Sequence, residues 1–361
     1  MTDNAFRIAV MPGDGIGIEV MDAALAVLDV VERRHGLAFR RETVPGGAIH
    51  YKETGVALPE DGFRVAEAAD AVLFGAMGWP DVRYPDGTEI APQLDLRVRM
   101  ELYAGVRPIR AIPGVPLALA SPRATEIDLV ILRESTEGMF ALRKDGVVEG
   151  DRIARDTMVI TRDVTERLSR FAFRLAARRA ERRDRRGKVT IVDKANVFKA
   201  FNWQRDIFRE RAAKLPEVKT DMLYVDACAA MMVKKPWDFD VMVMENMFGD
   251  ILSDLAAGLI GGLGIAPSAD IGDKHAVFQP CHGTAPDIMG QGKANPTAMI
   301  LSAAMMLDWL SQTHDMPVAA QAGARIERAV DDAYRAGLRP MEYGGGDGTA
   351  AVAAAVMKAL G

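Results

Sequence analysis

Short apolar runs alternate with stretches of helical periodicity along most of the chain. The runs read "RIAV", "AVLFGA", "IDLVIL", "KVTIV", "TDMLYV" and "DVMVM", each the length of a buried strand. Helical patterns fall between most of them. That alternation predicts an α/β fold with a largely parallel sheet, because parallel neighbours need a crossover between them. The C-terminal third is different. "NPTAMILSAAMMLDWL", "VAAQAGARIERAVDDAYRAG" and "GTAAVAAAVMKAL" predict three helices with little strand between them. "YGGGDGT" (343–349) predicts a flexible turn before the last helix, with Thr349 as its N-cap. No internal repeat and no long low-complexity linker interrupts the pattern.

The first strand runs into "PGDGIG" and then a helix, where a dinucleotide fold carries its phosphate loop. The spacing argues against that motif. Gly13, Gly15 and Gly17 give G-x-G-x-G, and Ile18 stands where the third glycine of G-x-G-x-x-G belongs. A strand-to-helix turn that needs glycine for its backbone angles explains the stretch by itself.

A chain of 361 residues is long enough for two domains, and its 49% apolar and 26% charged residues are those of a globular protein. A net charge of −5 argues against nucleic acid or an anionic membrane as partner. Cys228 and Cys281 cannot build a disulfide framework, which favours a reduced, cytoplasmic setting. "MTDNAF" lacks the basic start of a signal peptide, and no apolar window approaches the ~18 residues of a membrane span. The 20 methionines read as core filling. One segment runs against the net charge: residues 170–188 hold nine Lys/Arg against two acids. Phe171, Leu175 and Ala176 recur at helical spacing there, so the run reads as an exposed basic helix face ending at Gly187. A nucleic-acid patch would call for interleaved aromatics and a second basic segment.

Four segments carry candidate chemistry. In "ENMFGDILSDLAAG", Asp250 and Asp254 are four apart on a predicted helix, so both carboxylates share a face with no cation on the helix to relieve them. A divalent cation would relieve them; a solvated face is the alternative. Asp226 ends the strand "MLYVD", and functional groups gather at such strand ends. Arg97 and Arg107 flank a short helical segment in "QLDLRVRMELYAGVRP", and Arg133 ends the strand in "DLVILRE". Guanidinium forks recognise carboxylates, although each arginine alone also suits a surface ion pair. Lys194, just past a strand in "VTIVDKANV", is either a surface ammonium or a base whose pKa is lowered by neighbouring positive charge. "HGTAPDIMGQGKANP" (282–296) is a loop offering backbone N–H groups, His282 and Asp287, an acid able to accept from ribose hydroxyls and repel a 2′-phosphate.

Taken together and in this order, the segments resemble the isocitrate/isopropylmalate dehydrogenase family of β-decarboxylating dehydrogenases, from "PGDGIG" to "GGDGT". "FGDILSD" and "HGTAPDIMGQGKANP" are its most specific marks. The resemblance implies a two-domain α/β fold of isopropylmalate dehydrogenase type, with parallel and mixed sheets flanked by helices, rather than a usual Rossmann fold. It implies a discontinuous first domain, residues 1–101 plus 253–361, and a second domain, 102–252, that carries the dimer contact. A closing cleft between them would hold the site.

The resemblance also implies roles. Arg97, Arg107 and Arg133 would bind the carboxylates of a malate-type 2-hydroxy acid, with Gln93, Leu94 and Val197 near its C3 substituent. Lys194 and Asp226 would be catalytic and reach the site from the neighbouring subunit of a homodimer. Asp226, Asp250 and Asp254 would hold Mg2+ or Mn2+, and K+ is a further candidate. Ile16, His282, Gly283, Thr284, Ala285, Asp287, Ile288 and Asn295 would contact the cofactor. NAD is expected over NADP, because Asp287 and Ile288 stand where NADP-using members tend to carry lysine and tyrosine. One position departs from the pattern: the tyrosine seven residues after the third arginine is Phe140, which has no proton to give. The stretch "DGTEIAPQLDLR" sends mixed signals on substrate. An amide at Gln93, with Thr88 and Glu89 a few residues back, disfavours a purely apolar branch, while Val197 suits one. The expected reaction is oxidative decarboxylation of 3-isopropylmalate or a related 3-substituted malate, with D-malate or tartrate as alternative. Further alternatives are a non-catalytic regulatory subunit of a family heteromer and an RNA-binding protein using the 170–188 run.

Overall fold

The structure, a computed structural model, describes residues 5–183 and 187–361. The chain divides into two compact units. One comprises residues 1–101, 112–116 and 261–361; the other comprises 102–111 and 117–260.

In the first unit the strands lie in the order Phe39–Thr43, Phe6–Gly13, Ala71–Ala76, Ala276–Pro280, Pro267–Ile271. The first four run parallel; the last pairs antiparallel with its predecessor. Ala71–Ala76 is buried throughout, as its unbroken apolar sequence demands. Helix Thr297–His314 is buried on nearly every side; Met299, Ile300, Met306 and Leu307 are fully enclosed. Two C-terminal strands escaped the hydrophobic pattern. "PSADI" and "AVFQP" carry Ser268, Asp270 and Gln279 into the interior, where the Gln279 amide donates to the Asp270 carboxylate. Phe39–Thr43, reading "FRRET", is an edge strand with no apolar run to announce it.

In the second unit Ala104–Arg110 pairs antiparallel with Asp128–Glu134. Beyond it lie Val241–Met244, Lys188–Asp193 and Lys219–Tyr224, all parallel. These four parallel strands end along one edge of the sheet. Two are followed almost at once by helices, Val225–Lys234 and Asn246–Ile260; a third, Lys188–Asp193, reaches helix Lys199–Ala212 through a short turn that carries Lys194. A two-stranded hairpin, Val147–Glu149 with Ile153–Arg155, stands apart from the sheet.

The "PGDGIG" turn behaves as its glycines require. Gly13 and Gly15 have φ of +76° and +58°. A Cβ on Gly17, the first residue of helix Gly17–His35, would stand 2.4 Å from the Pro12 carbonyl oxygen. Thr349 is not an N-cap. The last helix, Thr349–Leu360, begins on it with Gly348 at the cap, and the Thr349 hydroxyl donates instead to the Ala294 carbonyl at 2.6 Å.

The basic run belongs to helix Arg162–Arg183; Asp184, Arg185 and Arg186 lie outside the described residues. Its face is not simply solvated. Arg179 donates to Asp240 at 2.8 Å and to the Asp128 carbonyl at 2.9 Å, and Arg183 pairs with both acids. These arginines tie the helix to the sheet, which removes them from any nucleic-acid patch.

Leu307→Ala should lower the stability of the first unit by about 2–5 kcal/mol, the cost of a cavity in a fully buried helix. Urea unfolding would show it as a lower midpoint with an unchanged slope.

Candidate active site

All three arginines are buried, at 5, 6 and 3% exposure for Arg97, Arg107 and Arg133. None is the surface ion pair that a single arginine suggests in sequence. Arg107 and Arg133 come from the antiparallel pair in the second unit. Arg107 is opposite Ile131 and Arg133 opposite Gly105, so both side chains leave the same face as diagonal neighbours. Helix Asn246–Ile260 packs closely on Arg133: a Cβ on Gly249 would stand 2.6 Å from the Arg133 Cβ. The close approach lets the Arg133 Nε donate to Asn246 Oδ1 at 2.8 Å, while its Nη1 pairs with Asp250.

The helix that carries Asp250 and Asp254 contains no cation, as read from its sequence. The relief comes from the sheet beneath it, which the sequence of the helix does not reveal. The Asp254 carboxyl is held above its ordinary value, first by partial burial and next by Asp250; Arg107 and Arg133 pull the other way. The Phe140 ring sits against the Arg133 guanidinium, 5.2 Å away, so this position presents a face of aromatic carbon.

Lys194 and Asp226 meet at the carboxyl edge of the same sheet. Their strands are adjacent, with Asp193 in register with Tyr224, and the Lys194 Nζ donates to Asp226 Oδ1 at 2.6 Å. Asp226 does not end the strand. It lies in the first turn of helix Val225–Lys234, where the helix dipole favours a carboxylate. The hydrogen bond from Lys194, its largest influence, lowers its pKa. The Asp226 side chain is 67% exposed. Among the described residues of one chain, no three metal-ligating side chains are gathered, so Asp226 does not join Asp250 and Asp254. Val197, past Lys194, is exposed as well.

In the first unit, Arg97 lies in the last turn of helix Pro92–Arg99 rather than beside it. Its Nε donates to buried Asp270 at 3.0 Å, and Gln279 donates to the same oxygen at 2.7 Å. Asp270 and Gln279 are partners of Arg97 that the sequence reading missed; a carboxylate within the short strand "PSADI" was the available signal. Gln93 and Leu94, one turn earlier, are half-buried, and Gln93 Oε1 is buried with no hydrogen-bond partner among the described residues.

The "PGDGIG" turn and the 282–296 loop come together in this unit. Ile16 N–H donates to the Thr284 carbonyl at 2.9 Å, and a Cβ on Gly15 would stand 2.1 Å from that same oxygen. Asp14, also missed in sequence, anchors the turn by accepting from the backbone N–H groups of Ala48, Ile49 and Gly78. Ala285 adopts φ +36° and leads into a short turn of helix, Pro286–Ile288, which holds Asp287 exposed and Ile288 half-buried. Gly283 is exposed and Thr284 buried. His282 Nδ1 lies 2.9 Å from the Gly283 carbonyl and donates to it, which leaves Nε2 an acceptor; that atom is buried without a partner among the described residues. Burial also lowers the His282 pKa, favouring the neutral ring. Asn295 is different. Its amide donates to Tyr334 and Glu342 and its oxygen accepts from the Thr297 backbone and hydroxyl, so the side chain is committed to the fold and not free for a cofactor.

Buried arginines beside paired carboxylates, and a lysine–aspartate pair at a strand edge, are the equipment of an enzyme that handles a small polycarboxylate. The comparisons define that class further. The isocitrate/isopropylmalate dehydrogenase family profile matches residues 7–358. The 3-isopropylmalate dehydrogenase of Moorella thermoacetica is 44% identical over 344 residues, 92% of each chain. The 3-isopropylmalate/3-methylmalate dehydrogenase of Methanocaldococcus jannaschii is 41% identical over 355 residues, 98% of each. The crystal structure of an isocitrate dehydrogenase from Methylococcus capsulatus superposes with a TM-score of 0.83 at 36% identity, covering 98% of this chain and 99% of that one. The chain is a decarboxylating dehydrogenase and belongs to the isocitrate/isopropylmalate dehydrogenase family. Its chemistry is the oxidative decarboxylation of a malate-type acid.

Gly249→Ala should push helix Asn246–Ile260 off Arg133, costing about 1–3 kcal/mol of stability. Turnover should fall with it. Thermal unfolding and a steady-state assay on the same sample would check both.

Proposed function

We propose that the protein oxidises and decarboxylates a 3-substituted malate, 3-isopropylmalate first among them, with NAD as hydride acceptor and Mg2+ or Mn2+ as metal. The observation that carries this reading is the cluster in the second unit: two buried arginines on one face, with Asp250 and Asp254 on the helix packed over them. Such a cluster suits a dianionic substrate and a hard divalent cation together. The relatives' names supply the substrate class.

Arg97, Arg107 and Arg133 bind the substrate carboxylates and orient C2. Asp226, Asp250 and Asp254 fit a magnesium or manganese ion, being an all-oxygen donor set. When bound, the metal stabilises negative charge at the C2 oxygen as a Lewis acid. Lys194, as the neutral amine, accepts the proton from the C2 hydroxyl, with Asp226 hydrogen-bonded to its Nζ and holding it in place. NAD, when bound, would accept the hydride from C2; the resulting 2-oxo acid then loses CO2 as the bond from C3 to its carboxyl group breaks. The remaining enol needs a proton at C3. Phe140 supplies none, so another group or a water supplies it, or the enol is protonated slowly.

The 282–296 loop fits NAD. His282 Nε2 offers a buried acceptor to a hydroxyl or amine of the cofactor, and exposed Asp287 repels a 2′-phosphate. Ile16, Gly283, Thr284, Ala285 and Ile288 line the same segment pair; Asn295 contributes by anchoring it.

A homodimer completes the site. Half-buried Lys194 and exposed Asp226 stand apart from the other two aspartates, available to a second copy. Val197, Phe198, Val233, Met247 and Ile251 expose apolar surface on the same unit. The hairpin with exposed Val147, Val148 and Ile153 is too small to be stable unpacked. No helix among the described residues is long and apolar enough to cross a membrane. We place the enzyme in the cytoplasm on its two unbridged cysteines. Of the second substrate readings, D-malate and tartrate, Gln93 favours tartrate: its buried oxygen, unpartnered among the described residues, suits a hydroxyl at C3 better than an apolar branch.

The deciding assay is NADH formation with Mn2+ on 3-isopropylmalate, D-malate, both chiral tartrates, isocitrate and homoisocitrate, each with NAD and NADP. Turnover of 3-isopropylmalate with NAD, abolished by EDTA, is expected. Preference for NADP would refute the role of Asp287. Phe140→Tyr should raise turnover; an unchanged rate in a folded protein would count against the missing proton donor as the limit. Mixing the inactive variants Lys194→Ala and Asp254→Asn should restore roughly a quarter of wild-type activity, since half of randomly remixed dimers carry one intact site of two. No recovery, with exchange of subunits verified, would mean each chain builds its own site.

A further inference from the structure

Lys194 and Asp226 lie at the tips of two neighbouring strands, and something must hold those tips in register. The last residues of the strands, Asp193 and Tyr224, are paired. Asp193 is 1% exposed, an ionisable group almost wholly removed from water. It is met by Arg205, from helix Lys199–Ala212, in a two-pronged ion pair: Nε to Oδ2 at 2.7 Å and Nη2 to Oδ1 at 2.6 Å. The same guanidinium lies over the Tyr224 ring, 5.0 Å from its centre. One side chain therefore grips the ends of both strands. Asp193 Oδ1 also accepts from the Ala195 N–H at 2.8 Å, a turn that straddles Lys194 itself.

We infer that Arg205 is the positioning residue for the Lys194–Asp226 pair, fixing it through Asp193 on one strand and Tyr224 on the other. The inference rests on the catalytic reading of Lys194 and Asp226 given above. Its physical basis is the shape of the guanidinium. A planar fork sets the orientation of the Asp193 carboxylate while its flat face stacks on the tyrosine; an ammonium of equal charge does neither. Lys194 is the residue next to Asp193, so rotation of that carboxylate moves the chain that carries the lysine. Asp226 is two residues beyond Tyr224, so loss of the stacking contact frees the other tip.

Arg205→Lys is the test, because it keeps a positive charge against buried Asp193. The variant should remain folded and dimeric, with unchanged KM for substrate and NAD, since the arginines and the cofactor loop are untouched. Its kcat should fall about ten- to a hundredfold, the effect of a catalytic group displaced by about an ångström. With substrate deuterated at C2, the isotope effect on kcat should rise as the oxidation step becomes limiting. A purely structural role would lower the melting temperature and leave kcat and the isotope effect of the folded enzyme as they were; that result would overturn the inference. If Arg205→Lys does not fold, Tyr224→Leu takes its place, with Tyr224→Phe as the conservative variant. Leucine should reproduce the loss of kcat and phenylalanine should recover most of it; equal, wild-type rates in both would overturn the inference. Lys194→Ala separates the two levels of argument. Full activity in that variant would remove the role of Lys194, whereas its inactivity together with a normal Arg205→Lys enzyme would refute Arg205 alone.

Discussion

Three guanidinium groups taken out of water are the constraint on which the rest of this structure turns. A buried charge is costly unless it is paired and hydrogen-bonded. The fold meets that requirement for Arg97 and Arg133 with buried polar partners. Arg97 has Asp270, shared with Gln279; Arg133 has Asn246 and Asp250. Other elements follow from these pairings. Two strands of the first unit carry polar residues into the interior because Arg97 needs them there. The helix Asn246–Ile260 has a glycine at 249 because Arg133 needs its partners within reach. Polar cores of this kind contribute little stability, but they aim charged groups with a precision that a mobile surface side chain lacks.

The same economy governs the edge of the second sheet. Parallel strands bring their carboxyl ends to one side, so residues remote in sequence become neighbours without any special loop. Lys194 and Asp226 meet in this way, and Arg205 fastens them from a helix that supplies no reacting group. The edge is thus layered: Lys194 and Asp226 lie just past the strand ends, and Asp193 and Tyr224, which Arg205 meets, are the last residues of the strands behind them.

Much of this was legible in the sequence, and the exceptions share a cause. Strands with unbroken apolar runs, such as "AVLFGA" and "DVMVM", were readable because burial on both faces demands that composition. "FRRET" was not, since an edge strand has no such demand, nor were "PSADI" and "AVFQP", where polar residues answer a buried charge elsewhere in the chain. Candidate site residues with distinctive local spacing, the aspartates four apart and the lysine past a strand, could be picked out from chemistry alone. Their partners could not. The relief of Asp250 by Arg133, the pairing of Arg97 with Asp270 and the commitment of Asn295 to Tyr334 and Glu342 are all long-range contacts. Local pattern carries no record of them.

The contact between Ile16 and Thr284 has a consequence for the making of the protein. The first strand, its glycine turn and the strand Ala71–Ala76 emerge early from the ribosome, yet their partners, Ala276–Pro280 and the loop at 284, are translated near the end. The first unit cannot close until then, whereas most of the second is already complete. During synthesis the early segment waits with apolar strand faces and an open edge exposed, the state in which aggregation competes with folding. Truncation ahead of Ala276 would therefore damage the oldest part of the nascent chain most, by depriving it of the sheet neighbour it has been waiting for.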